Sequence, residues 1–152
     1  MELKDSVRIS RDRETVWLAL NDVEILQRTI PGCEQLESVS AEGMTGVVVV
    51  KVGPIKTRFS GEVMLTDIVP PESYLLTGEG KGGLAGFAKG HAHVRLEEDG
   101  AEATILHYDV HTDVGGKIAQ LGARLLDSTA KKLARQFFDD FNKAVSSETA
   151  EA

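Results

Sequence analysis

The chain has 152 residues, 41% of them hydrophobic, with a formal net charge of -7 and a single cysteine. That length suffices for one domain with its own core, and the acidic balance excludes nucleic acid as a general partner, because phosphate backbones reward clustered Lys and Arg. No stretch of about 18 apolar residues is present to cross a membrane as a helix, the start MELKDSVRIS lacks the apolar run of a secretory signal, and Cys33 has no internal partner, so the expected compartment is the cytoplasm.

Residues 3–9, LKDSVRI, read as a short strand. Ser10 or Asp12 then caps a helix in which Val16, Trp17 and Leu20 share a face. Asn21 or Asp22 starts a second short helix through Ile25, Leu26 and Ile30, and Pro31-Gly32 stops it. From residue 34 to 113 the pattern changes to period two. Turn residues fall at Glu42-Gly43, Gly53-Pro54, Pro70-Pro71, Gly82-Gly83 and Asp99-Gly100, which predicts about six consecutive antiparallel strands. After Gly115-Gly116 the period is helical, with Ile118, Leu121, Leu125, Leu133, Phe137, Phe141 and Val145 on one stripe. One helix over 117–145 would be roughly 45 Å long and must lie along the sheet. The tail SSETAEA is polar and reads as frayed, which places the domain at 1–146 and a disordered end at 147–152.

The segment GEGKGGLAGFAKG, residues 78–90, contains a literal G-x-G-x-x-G at Gly78, Gly80 and Gly83. A dinucleotide fingerprint must open a helix, whereas here a strand pattern follows, so the match is accidental. By alternation, Gly46, Val48, Val50 and Val52 face inward on one strand, then Phe59, Gly61, Val63 and Leu65 on the next. Tyr74, Leu76, Gly78 and Gly80 follow, then Ala88, Gly90, Ala92, Val94 and Leu96, and lastly Leu106, Tyr108 and Val110. Two successive strands thus offer glycine or alanine to the long helix over about half their length. Cores fill to crystal-like density, so such small residues serve either sheet bending or an internal space. Gly122, expected near the start of the helix, points toward space.

The order of strand, two short helices, six strands and one long helix resembles the START-like, or Bet v 1-like, helix-grip fold: α+β, with a curved antiparallel sheet of about seven strands. Within that fold, Val16-Trp17-Leu18-Ala19-Leu20-Asn21-Asp22, Ile30-Pro31-Gly32-Cys33, the stretch VKVGPIK at 50–56, Phe59-Ser60-Gly61, Gly78-Glu79-Gly80 and GGKIAQLG at 115–122 resemble the carbon monoxide dehydrogenase G-subunit family. The resemblance implies an accessory protein of a molybdenum hydroxylase such as aerobic carbon monoxide dehydrogenase, thought to help recruit that enzyme to the membrane. It also implies an apolar cavity for a lipid-like or quinone-like molecule and peripheral contact at the inner membrane face.

The ligand-lining expectation is Trp17, Val50, Phe59, Tyr74, Leu76, Phe87, Tyr108, Leu121 and Leu125. No catalytic residue, metal or cofactor is expected. Cys33 follows a Pro-Gly turn without a neighbouring histidine and reads as a small packed side chain, and only Tyr74 and Tyr108 bring polar groups inward. His91, His93, His107 and His111 share the outer face of one hairpin. With Glu98 opposite Glu102, His93 would face His107, His91 would face Asp109 and Lys89 would face His111; a solvent-facing, metal-free surface is the expectation. The basic turn Lys51, Lys56 and Arg58 reads as solvated. Two other readings stay open: a cyclase or hydrolase of the same fold, and a protein-protein adaptor whose core is filled by its own side chains.

Overall fold

In the computed structural model, the first strand, β1 (Glu2–Ile9), leads into α1 (Arg13–Leu20), which begins where Asp12 accepts a hydrogen bond from the Thr15 N–H at 3.2 Å. That contact satisfies one of the donors a helix start leaves open, and the Thr15 side chain, aided by this backbone bond, holds the Asp12 carboxyl below its ordinary value. Asp22 caps α2 (Val23–Thr29) in the same way, through the N–H groups of Glu24 and Ile25. Side chains are described for residues 1–146 and secondary structure to residue 151, so the expectation of a disordered 147–152 tail lies outside the fully described residues.

Six hairpin-connected strands follow: β2 (Cys33–Ser40), β3 (Gly43–Val52), β4 (Ile55–Val69), β5 (Ser73–Lys81), β6 (Phe87–Glu98) and β7 (Thr104–Gly115). They form one antiparallel sheet in the order β1-β7-β6-β5-β4-β3-β2, in which β1 pairs with the last strand. The curved seven-stranded sheet and long C-terminal helix agree with the fold expected from the sequence.

Two details differ. The helix expected over 117–145 is divided, because Lys117–Leu121 is a separate 3-10 turn and the long helix, α3, spans Ala123–Glu151. The cause is Gly122, whose φ of 97° no right-handed helix can hold; it is a hinge ahead of α3 and not a residue within it. The β6–β7 hairpin is also shifted: Glu98 pairs with Thr104, since the Asp99 N–H donates to the Ala103 carbonyl and closes a loop over 99–103. His91 therefore faces His111, His93 faces Asp109 and Arg95 faces His107.

α3 touches β3 near its start and β1 further along, so it crosses the sheet from one side to the other. At the C-terminal end, Phe141 and Val145 are fully buried in a cluster with Ile9, Val16, Trp17, Tyr74, Leu96 and Leu106. A second, smaller cluster joins Val52, Ala85 and Ile118 with Leu121, Leu125 and Leu126 at the other end. Leu133, between them on α3, is half-buried and belongs to neither cluster.

Candidate functional site

Between the two clusters the helix-facing side of the sheet is built from small residues. Gly61 pairs with Gly80, Gly78 with Gly90, and Gly80 with Ala88 across adjacent strands. The result is a cleft of about 350 Å³, within the range of small-molecule sites. Its walls are mainly apolar: Ile30, Leu36, Met44, Val48, Phe59, Val63, Leu76, Ala88, Ala92 and Val110, and Glu62, Glu79, Lys89, His91 and Thr112 also border it.

The glycines divide by what a side chain would meet. At Gly90 a Cβ would run into the His111 carbonyl oxygen, and at Gly46 it would stand 2.8 Å from the Gln35 carbonyl oxygen. These two positions permit close approach of neighbouring backbone. Gly80 differs, since a Cβ there would touch only Phe59, at 3.8 and 3.9 Å, which is ordinary contact. Curvature and space are thus both served, by different residues of the same run.

Of the nine residues expected to line a ligand, Phe59 and Leu76 do face the cleft. Trp17 and Tyr74 meet edge to face, with ring centroids 5.5 Å apart, inside the closed end. Tyr108 stacks on Phe138 of α3 at 5.2 Å and packs against the same closed end. Val50, Leu121 and Leu125 pack into the distal cluster. Phe87 is 41% exposed and lies over Gly115, on the sheet face opposite Ala88. The alternation that put Ala88 inward also sends Phe87 outward.

Ile30, Cys33, Leu36 and Met44 were absent from that expectation, and the structure places all four in the cleft wall. Met44 has the parity of Gly46 and Val48 on β3, so the period-two pattern carried its signal. Ile30 and Cys33 reach the cleft because Pro31 and Gly32 turn the chain from α2 into β2; no periodicity spans such a turn. Desolvation raises the Cys33 thiol above its ordinary value. Burial likewise pushes the Tyr74 phenol up to about 12. Both groups are therefore neutral near pH 7, which is the opposite of what activates a nucleophile or a base.

The histidines occupy the other face of the sheet. His91 and His111 stack with ring centroids 5.0 Å apart, and His111 also lies 3.1 Å from Glu2 and 3.2 Å from Asp109. His107 meets Glu97 at 3.0 Å. Among the described residues no group of three or more His, Cys, Asp or Glu side chains is arranged to hold a metal ion.

A family model described as the carbon monoxide dehydrogenase G-subunit (CoxG) matches residues 6–146. A crystal structure of a conserved protein from Geobacillus kaustophilus is similar at 31% identity and a TM-score of 0.91, covering 97% of this chain and 96% of that one. A START superfamily protein from Mycobacterium smegmatis superimposes with a TM-score of 0.73 at 11% identity, over 96% of this chain and 97% of the other. The ZhuI aromatase/cyclase from Streptomyces sp. R1128 gives 0.67 at 14% identity, over 96% and 93%. At such identities the last two show a shared START-like fold alone. No curated protein matches the sequence.

Proposed function

The chain belongs to the carbon monoxide dehydrogenase CoxG family, and from that premise we propose that its cleft binds one apolar small molecule of lipid-like or quinone-like shape. In this reading the protein is a non-catalytic accessory of a molybdenum hydroxylase such as aerobic carbon monoxide dehydrogenase. The observation that carries the binding half is the cleft itself: about 350 Å³, walled by Phe59, Leu76, Val48 and Val110, where Gly80 leaves room that a side chain would fill. An apolar wall with few polar groups suits a ligand held by burial and shape rather than by charge.

A catalytic reading has less support. The cyclase likeness is one of fold, and burial holds the thiol of Cys33, in the cleft wall, in its neutral form.

Native mass spectrometry of freshly purified protein tests the binding half. The expected spectrum carries a bound apolar molecule. Ala92→Leu, in the cleft wall, is expected to remove that mass while costing less than the roughly 1 to 3 kcal/mol typical of overpacking a full core. A bare wild-type spectrum together with an unfolded Ala92→Leu would mean a solid interior, and the adaptor reading would replace this one.

A further inference from the structure

We propose that Thr112 sets the chemistry of the ligand: its hydroxyl donates a hydrogen bond to one uncharged carbonyl of the bound molecule, and the cleft rejects an ionised head. The inference rests on the reading that the cleft binds an apolar molecule, and narrows that molecule to a neutral carbonyl compound.

Side chains of β4 to β7 meet the cleft in rows that run across the strands. One row is Leu65, Leu76, Ala92 and Val110, and another is Gly61, Gly80, Ala88 and Val114; both are apolar throughout. Between them lies the row Val63, Gly78, Gly90 and Thr112. Its two central members have no side chain, so a bare strip of sheet separates Val63 from Thr112. Three strand spacings make that strip roughly 14 Å wide along the sheet.

Thr112 shares the face of Val110 and Val114 and is half-buried. Its backbone is satisfied, since the N–H donates to the Met1 carbonyl at 2.8 Å and the carbonyl accepts from the Met1 amino group at 2.8 Å. Its hydroxyl makes no hydrogen bond to protein among the described residues; Gly90 opposite it, and Val110 and Val114 on either side, have no side-chain partner to give. The other polar residues at the border do not compete. Glu62, Glu79, Lys89 and His91 have the opposite parity, so their side chains leave from the outer face, where Glu79 meets Lys81 and His91 stacks on His111. Cys33 turns its thiol to the Gln35 carbonyl at 3.5 Å.

A hydroxyl alone in an apolar wall calls for one neutral hydrogen-bonding group. A ligand carbonyl is an acceptor only, and the single donor here satisfies it. A carboxylate or phosphate would bring a full charge to a wall whose helix-facing side carries no cation among the described residues. Burying that charge unpaired costs far more than one hydrogen bond returns.

Equilibrium dialysis of delipidated protein against methyl decyl ketone, dodecane and dodecanoate, three probes of equal chain length, tests the assignment. The wild type is expected to bind both neutral probes and to bind dodecanoate more weakly than the ketone by about tenfold or more. Thr112→Val keeps the branched shape and removes the hydroxyl. Its ketone affinity is expected to fall on the order of tenfold, while its dodecane affinity holds or rises. Thr112→Ser, which keeps the hydroxyl, should retain the ketone. Thr129→Val removes a half-buried hydroxyl of α3 outside the cleft wall and should change neither probe. A purely structural role for Thr112 would instead lower both neutral probes together, along with the melting temperature. That outcome, an unchanged ketone affinity in Thr112→Val, a ketone loss in Thr129→Val, or dodecanoate bound as tightly as the ketone overturns the inference and leaves the cleft reading standing. A wild type that binds none of the three probes overturns both.

Discussion

Strand β5 carries both halves of the interior on one face. Tyr74, at its start, is 5% exposed and locked against Trp17, whereas Gly78 and Gly80, further along the same face, carry no side chain. Strand β6 repeats the contrast, with Val94 and Leu96 buried at one end and Ala88 and Gly90 at the other. Parity is identical along each strand, so alternation alone does not separate core from cleft. Side-chain volume does. Where the inward residues are large, α1, α2 and the C-terminal half of α3 close over them; where they are small, the same sheet leaves a hollow.

The comparison breaks most visibly if the closed end is hollowed. Phe141 is fully buried where α3 meets β1 and α1, and its ring centroid lies 5.6 Å from that of Phe137. Phe141→Ala is expected to cost about 3 to 5 kcal/mol, since the rigid surroundings can collapse only in part. Chemical denaturation reads this directly as a lower midpoint. A cost below about 1 kcal/mol would show that the closed end is no better packed than the cleft.

A second test uses pH and again touches only the closed end. Burial holds the Tyr74 phenol at about 12, against an ordinary value near 10. The folded state therefore favours the neutral phenol; its contribution is complete below about pH 10 and is lost as pH rises toward 12. The full loss corresponds to about 3 kcal/mol. Stability measured across that window should fall in the wild type, and the fall should largely disappear in Tyr74→Phe. Tyr108, whose phenol is also raised by burial, is more exposed and accounts for a smaller residue of the effect.

Much of this contrast was legible in the sequence. Element order, face assignment and the glycine-alanine run followed from periodicity, because strands alternate strictly and inward small residues stand out against Val and Leu neighbours. The site residues were less legible for a physical reason. Trp17, Tyr74 and Tyr108 have the right polarity for a ligand pocket and the right parity to face α3, yet large rings also fill cores best, and here they fill the closed end. Gly122 was misplaced because helical period continues through it; only its φ of 97° reveals the hinge. The histidine register moved for a similar reason: a loop over 99–103 is longer than the Asp99-Gly100 signal alone implies.

The finest test separates glycines that bend the sheet from those that leave it hollow. At Gly90 an added Cβ meets the His111 carbonyl oxygen, which belongs to the ladder between β6 and β7 and cannot give way without moving backbone. Gly90→Ala is therefore expected to cost about 1 to 3 kcal/mol, as overpacking does. At Gly80 the same atom finds Phe59 no nearer than 3.8 Å. There the methyl group only narrows the unfolded chain's freedom, so Gly80→Ala is expected to stabilise the protein by about 0.5 to 1 kcal/mol. It also extends into the cleft, so the bound apolar mass should decrease even as the melting temperature rises. Opposite signs from two chemically identical substitutions, read by thermal unfolding, would establish that one glycine run serves two purposes. If both variants lose stability alike, Gly80 is a bending residue too, and the hollow owes its volume to Ala88 and Ala92 instead.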